Sequence, residues 1–389
     1  MIFPRSMFLE MAPPPTQTYP TCEIPSVDLG PFFEEKKGVV VGKDPTDDQR
    51  KVASTINQVC RKHGFVHVTN FGMSSEMGQR LFAATRELFD PAKTNDYVAW
   101  SPATNTGYSA LQNESLNRNR PPDLKEAFNI RFPPTWDNPS LPKTPDSFQS
   151  VLDDYIKIMK KASLRYALIC ALALDLPLDT FTKMLNTYDI VTAKFLHYPP
   201  CEFGEGSASA CIKAPIRVGE HTDFGAYTFL LLEDKQGPMG LQIKSDERGG
   251  ECGGSAGGEE CGWMDVEIAG RGGGDGREPN TGGTFGAIIN TGAMMARMTN
   301  DYWKATPHRV IVPTEEYASK DRYSIAFFVD PDGDELIQVE GKYKDYQHAS
   351  SRDMNEHVSG PVYHEPVSSR NFVLMKLKEM AEAANKGQR

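Results

Sequence analysis

From Ile190 onward the sequence breaks into short apolar segments separated by turn signals, and this pattern constrains the fold more than any other feature. The segments are 191–198, 226–232, 241–243, 264–266, 285–290, 309–312 and 323–329. None is long enough for a globular helix, and many short strands with frequent turns predict a sandwich or a closed jelly roll. The preceding half reads differently. A Thr-x-x-Gln capping box at Thr46 opens a helix to Lys62, ended by His63-Gly64, and Ser74 or Ser75 caps another to about Phe89. Helical stretches follow at 146–174 and 179–186, with a last helix at 369–384, whereas 24–29 and 65–68 read as strands. The predicted fold class is α+β: a double-stranded β-helix (jelly-roll) core with a helix-rich N-terminal domain and a C-terminal helix.

The expected organisation is a disordered tail over 1–21 and a helix-rich domain over 22–187. A jelly-roll domain over 188–335 and a C-terminal extension over 336–389 complete it. Two Gly-rich stretches, 249–262 and 270–283, interrupt the β region and read as surface insertions in hairpins. They lack the Lys-Ser/Thr pair and following helix of a phosphate loop.

Composition excludes several functions. The net charge of −10 and pI near 5.4 lack the basic footprint of a nucleic-acid binder. No apolar run approaches the roughly 18 to 20 residues that span a bilayer. The seven cysteines are odd in number, scattered and without C-x-x-C spacing, so they are expected to be reduced thiols in a cytoplasmic monomer. Cys60 and Cys170 fall on apolar helical faces, and Cys252 and Cys261 share a Gly-rich loop that offers no histidine for a metal site.

The residues that carry chemistry are His221-Thr222-Asp223 and His308. Residues i and i+2 of a strand share a face, so His221 and Asp223 can reach one metal ion from a strand end. His308 opens another β segment after Pro307. Two histidines and one carboxylate leave three adjacent positions open, the facial triad of Fe(II) oxygenases. A chance His-x-Asp is common, so the surroundings decide. Downstream, Arg322 and Ser324 again share a strand face ahead of the apolar run 325–329. A guanidinium fork and a hydroxyl suit a carboxylate end-group.

Taken in order, Gly219-Glu220-His221-Thr222-Asp223-Phe224-Gly225, Asn290-Thr291-Gly292, Pro307-His308-Arg309-Val310 and Arg322-Tyr323-Ser324-Ile325-Ala326-Phe327-Phe328 resemble the isopenicillin N synthase-like branch of 2-oxoglutarate/Fe(II) dioxygenases. His197-Tyr198-Pro199-Pro200-Cys201 and the N-terminal His63-Gly64-Phe65-Val66-His67-Val68 are similar to motifs of the same family. The resemblance covers about residues 22–335. It implies that His221, Asp223 and His308 bind Fe(II). It also implies that Arg322 and Ser324 hold the distal carboxylate of 2-oxoglutarate, with Tyr198 adding a hydroxyl. The implied reaction uses O2 and couples decarboxylation of 2-oxoglutarate to hydroxylation or desaturation of a small organic substrate. Leu196 and Ala293 depart from the family pattern, where Asn and Asp are usual; the second change is expected to alter a turn only. The long spacing from Asp223 to His308 is accounted for by the Gly-rich insertions.

Phe224, Phe328, Tyr108 and Phe128 are the expected pocket aromatics; Lys213 and Arg217 read first as exposed surface residues, with contact to an acidic substrate as the alternative. A same-fold oxidase that does not use 2-oxoglutarate, with Arg322 and Ser324 on the substrate's own carboxylate, is the nearest alternative. A catalytically silent binding protein has no need of the ligand set, and a zinc hydrolase would want a His-Glu-x-x-His base that is absent.

Overall fold

The structure is a computed structural model. It describes residues 19–33, 44–114, 122–132, 146–202, 215–233, 240–245, 262–269, 283–345 and 365–387. The first half runs β1 (Thr21–Ile24), β2 (Ser26–Asp28), α1 (Asp47–Lys62), β3 (Phe65–Thr69), α2 (Ser75–Leu88), α3 (Pro91–Thr94), β4 (Gly107–Ser109), β5 (Glu126–Arg131) and α4 (Asp146–Ala173). The second half runs β6 (Thr192–Tyr198), β7 (Ile216–His221), β8 (Tyr227–Leu232), β9 (Leu241–Lys244), β10 (Trp263–Ile268), β11 (Ala287–Thr291), α5 (Ala293–Met298), β12 (His308–Ile311), α6 (Glu315–Ala318) and β13 (Arg322–Val329). The chain closes with β14 (Leu336–Ile337), β15 (Val367–Ser368) and α7 (Ser369–Gly387).

Two open sheets carry the architecture. One has the order β1-β10-β9-β12-β7, and the larger has the order β2-β3-β11-β8-β13-β6-β5-β4. Leu196, Ile288 and Ala326 from the larger sheet share an apolar cluster with Val218, Ile243 and Val310 from the smaller, so the inner faces pack together. The outer face of the larger sheet is covered by α4, whose Tyr155 and Tyr166 rings meet Phe195, Phe327 and Phe229 edge-on.

Local signals account for the helix starts. Thr46 accepts from the Gln49 amide while the Gln49 side chain accepts from the Thr46 amide, a complete capping box. Ser74 caps α2 through the Met77 amide. Gly64 ends the first turn at a positive φ of 69°, where a Cβ would stand 2.6 Å from the Lys304 carbonyl.

Three expectations need correction. The single entry strand over 24–29 is two strands, because Pro25 has no N–H to donate: β1 pairs with β10 in one sheet and β2 with β3 in the other. Thr21, assigned to the tail, already belongs to β1. The helix expected over 179–186 is one 3-10 turn, Thr182–Met184. The Asp332 carboxylate takes the amides of Asn186, Thr187 and Tyr188 there, and the chain turns instead of continuing. Alongside its helices the first half gives five strands to the two sheets. Residues 1–18 of the expected tail and nearly all of both Gly-rich stretches lie outside the described residues.

Candidate active site

Strand β7 ends on His221 and β12 begins on His308, and the two pair directly in the antiparallel register. Asp223 follows β7 in the turn toward β8. One ligand atom from each of the three residues lies within 4.8 Å of the others. Asp223 Oδ1 is 3.7 Å from His221 Nε2 and 3.8 Å from His308 Nε2.

Every other polar atom of the trio is engaged. His221 Nδ1 pairs with the Gly219 carbonyl at 2.8 Å and His308 Nδ1 with the Thr306 carbonyl at 3.2 Å. A carbonyl only accepts, so each Nδ1 carries the hydrogen and each Nε2 lone pair points at the shared space. Asp223 Oδ2 accepts from Thr228 and from Asn290, both at 2.6 Å, leaving Oδ1 for the same space. Burial and the neighbouring His308 push the His221 imidazole down to about 3, so it is neutral, as ligation requires. The Asp223 carboxyl would be raised by burial alone, but the two histidines and its two donors hold it below the usual range. The donor set fits a divalent transition metal with orienting partners on every ligand.

Backbone approach fixes the Asp223 turn. A Cβ on Gly292 would stand 2.2 Å from the Gly225 carbonyl, and the Ala293 amide donates to the Asp223 carbonyl. Ala293 starts α5 at this contact.

A cavity of about 160 Å³ opens beside the trio, and its wall is largely apolar. Along β13, alternate residues Ser324, Ala326, Phe328 and then Asp330 line it. Ser324 Oγ is 3.3 Å from the Tyr198 hydroxyl, and the Arg322 guanidinium lies 4.9 Å from the centre of the Tyr198 ring. Arg322 is buried, and its Nη1 has no hydrogen-bond partner. An unpartnered buried guanidinium nitrogen beside two hydroxyls fits an anionic end-group.

Of the expected aromatics, Phe224 and Phe328 line the cavity; Tyr108 and Phe128 do not. Phe128 neighbours Asn129, which does line it, and therefore faces the other side of β5, against Tyr97. The Tyr108 hydroxyl binds Glu126 instead. Arg217 is not an exposed receptor for an acid. It is buried, it donates to the Tyr317 and Lys320 carbonyls, and it stacks over Tyr198. Lys213 falls outside the described residues.

Several residues escaped sequence reasoning. Thr228 and Asn290 hold Asp223, and only the pairing of β8 with β11, which sets them opposite each other, would have revealed it. Lys125 and Lys194 line the cavity wall and are neutralised by Asp123 and Glu114. Asp123 also accepts from the Gly219 amide, which ties this network to the strand bearing His221. Val373 and Leu377, one helical turn apart on α7, close part of the cavity.

Comparison with known proteins agrees with this geometry. Residues 24–149 match the family described as non-haem dioxygenase in morphine synthesis N-terminal, and residues 277–331 match the 2OG-Fe(II) oxygenase superfamily. The chain is 27% identical to a 2-oxoglutarate-Fe(II) type oxidoreductase of Aspergillus fumigatus, over 87% of this chain and 91% of that protein. It is 26% identical to a clavatol oxidase of Penicillium crustosum, over 92% of this chain and 98% of that protein. Its fold resembles that of a Neurospora crassa protein solved in complex with alpha-KG and thymine, at a TM-score of 0.65, 22% identity and coverage of 92% and 96% of the two chains. It also resembles JOX2 solved with 2OG, Fe and JA, at 0.61 and 21%, covering 93% and 90%. No helix among the described residues is long and apolar enough to cross a membrane. With the triad geometry and these relatives together, the chain belongs to the 2-oxoglutarate/Fe(II)-dependent dioxygenases.

Proposed function

We propose that His221, Asp223 and His308 hold the Fe(II), that Arg322, Ser324 and Tyr198 hold the distal carboxylate of 2-oxoglutarate, and that the enzyme hydroxylates or desaturates a small organic molecule. The two facing sheets are then the two sides of a double-stranded β-helix. The observation that carries this reading is the coincidence of three free metal-ligand atoms on a cavity whose wall includes Ser324 and Tyr198 with a buried, unpartnered Arg322 nitrogen beside that Tyr198 ring.

Iron and 2-oxoglutarate bound there would supply the oxidising chemistry, in which O2, the oxoacid and the substrate become succinate, CO2 and either the hydroxylated substrate or the desaturated one and water. The protein's own contribution is placement. Thr228 and Asn290 fix the Asp223 carboxylate, and the Gly219 and Thr306 carbonyls fix both imidazole tautomers, so the ligands are ordered before metal arrives. Arg322 and Ser324 lie on the same strand face as Phe328, so a diacid held at one end leaves the apolar end for substrate. Phe224, Phe328, Val373 and Leu377 exclude water from that end.

The test is anaerobic titration of the Fe(II) protein with 2-oxoglutarate, following the visible charge-transfer band of the chelate. A saturable band, with succinate formed in step with substrate turnover, is expected. No band, together with O2 consumption indifferent to 2-oxoglutarate, would move the enzyme to the oxidase reading.

A further inference from the structure

The apolar end of the cavity holds one carboxyl that neither the metal trio nor the cosubstrate cradle uses. Asp330 lines the cavity directly beyond the end of β13 and is buried, with 5% of its surface exposed. It forms no ion pair or hydrogen bond among the described residues; only the charges of Arg131 and Asp223 act on it. A buried carboxyl without a donor is costly unless something else satisfies it.

Its place along β13 is informative. Thr228, which holds Asp223, is directly opposite Phe328 in the register. At about 3.3 Å per residue, Ser324 lies about 13 Å from that level on one side and Asp330 about 7 Å on the other. Asp330 Oδ1 packs over Gly225, where a Cβ would stand 2.3 Å away, so the carboxyl fills the space that the glycine leaves. The metal trio therefore sits between a cationic anchor and a carboxyl on one wall.

We infer that Asp330 binds and orients the substrate by accepting a hydrogen bond from a neutral O–H or N–H group, while the apolar body of the substrate lies against Phe224, Phe328, Val373 and Leu377. Burial raises the Asp330 carboxyl and the charge of Arg131 offsets this only in part, so a neutral donor suffices and no cationic substrate is demanded. Lys125 and Lys194 are held by Glu114 and Asp123, so the wall offers no unbalanced cation to an acidic one. The class is thus a small apolar molecule, of aromatic size, carrying a hydroxyl or amide N–H. This assignment rests on the proposed metal and cosubstrate sites.

The experiment loads the full chain with Mn(II) and 2-oxoglutarate, confirms both by the electron paramagnetic resonance signal, and measures paramagnetic broadening of probe proton resonances. The probes share one apolar body: 1-naphthol, 1-methoxynaphthalene, 1-naphthoate and 1-naphthylmethylamine. Naphthol is expected to bind at least about tenfold tighter than the methyl ether, the order of one buried hydrogen bond, and tighter than the acid or the amine. In Asp330→Leu the preference for naphthol over the ether falls to within about twofold, while Asp330→Asn, which keeps an acceptor oxygen, retains most of it. Equal binding of ether and naphthol overturns the assignment. So does a preference that survives Asp330→Leu, tighter binding of the amine, or no broadening of any probe by the loaded protein. Failure to bind Mn(II), or a signal unmoved by 2-oxoglutarate, instead defeats the metal and cosubstrate reading itself.

Discussion

At one end of β13, Arg322, Ser324 and Tyr198 sit on two neighbouring strands in direct register, Arg322 opposite Tyr198 and Ser324 opposite Leu196. At the other end, Phe328 and Asp330 are met by Phe224 from a turn, Val373 and Leu377 from α7, and Trp100 from a loop. The first end is assembled from the sheet, where backbone pairing sets every distance. The second is assembled from parts with separate connections, so it tolerates change without disturbing the ladder. An enzyme family that keeps one cosubstrate and varies its substrates is served by this division.

Perturbing the trio between the two ends should have the largest effect, because it silences both. His221→Ala, Asp223→Ala or His308→Ala is expected to abolish iron binding and turnover while the protein stays folded, read by metal analysis and circular dichroism. Full activity with stoichiometric Fe(II) in any variant would remove that residue from the trio.

Arg322→Lys should break the sheet-built end alone. Lys keeps the charge but loses the two-pronged geometry, and a charge-assisted hydrogen bond contributes roughly 1.5 to 3 kcal/mol. The 2-oxoglutarate midpoint in the charge-transfer titration is expected to rise roughly 10- to 100-fold with Fe(II) affinity unchanged. An unmoved midpoint would place the anchor elsewhere.

Asn290→Leu or Thr228→Val removes one donor from Asp223 and should weaken metal binding by about tenfold, the low end for such orienting partners. Iron titration would show the midpoint shift, and a variant indistinguishable from the parent would make that contact incidental.

The smallest effect concerns the buried network midway along the cavity. Burial alone would raise the Glu114 carboxyl, but Lys194 and Lys125 overcome this and hold it at about 2. A depressed pKa contributes stability that is fully present above the unfolded value, near 4.5, and is lost as pH falls toward 2. The melting temperature should drop across that window. In Glu114→Gln, already less stable at neutral pH because Lys194 loses its partner and Lys125 keeps only Asp123, the drop should be shallower. Parallel pH profiles would show that the pairing does not stabilise the fold.

The two ends also differ in how far the sequence revealed them. Arg322 and Ser324 were legible because strand periodicity puts i and i+2 on one face, whereas His221, Asp223 and His308 were carried by the ordered motifs around them, since Asp223 lies past the end of β7. Most strands of the second half were found from their apolar runs. β7 was missing from that list because Arg217, Glu220 and His221 break the apolar run. The substrate end was read poorly. Tyr108 and Phe128 fall in the loop-rich N-terminal region expected to cover the barrel mouth, yet parity along β5 turns Phe128 to the opposite face. Val373 and Leu377 come from a helix whose docking position no local pattern encodes. Asp330 carries no local signal of its role, because its packing depends on Gly225, more than a hundred positions earlier in the chain.

The break at Pro25 has a consequence for synthesis. Because β1 joins β10 and β2 joins β3, four residues at the start of the fold cannot find their partner until Ile268 has been made. β3 in turn waits for β11, which ends at Thr291. These pairings span most of the chain, and such long closures are slow to form. The growing chain therefore carries unpaired strand edges through much of translation, when they are open to wrong partners. The earliest strand of the described fold is among the last to be secured, and the metal-ligand strand pair, β7 with β12, is completed only after His308 emerges.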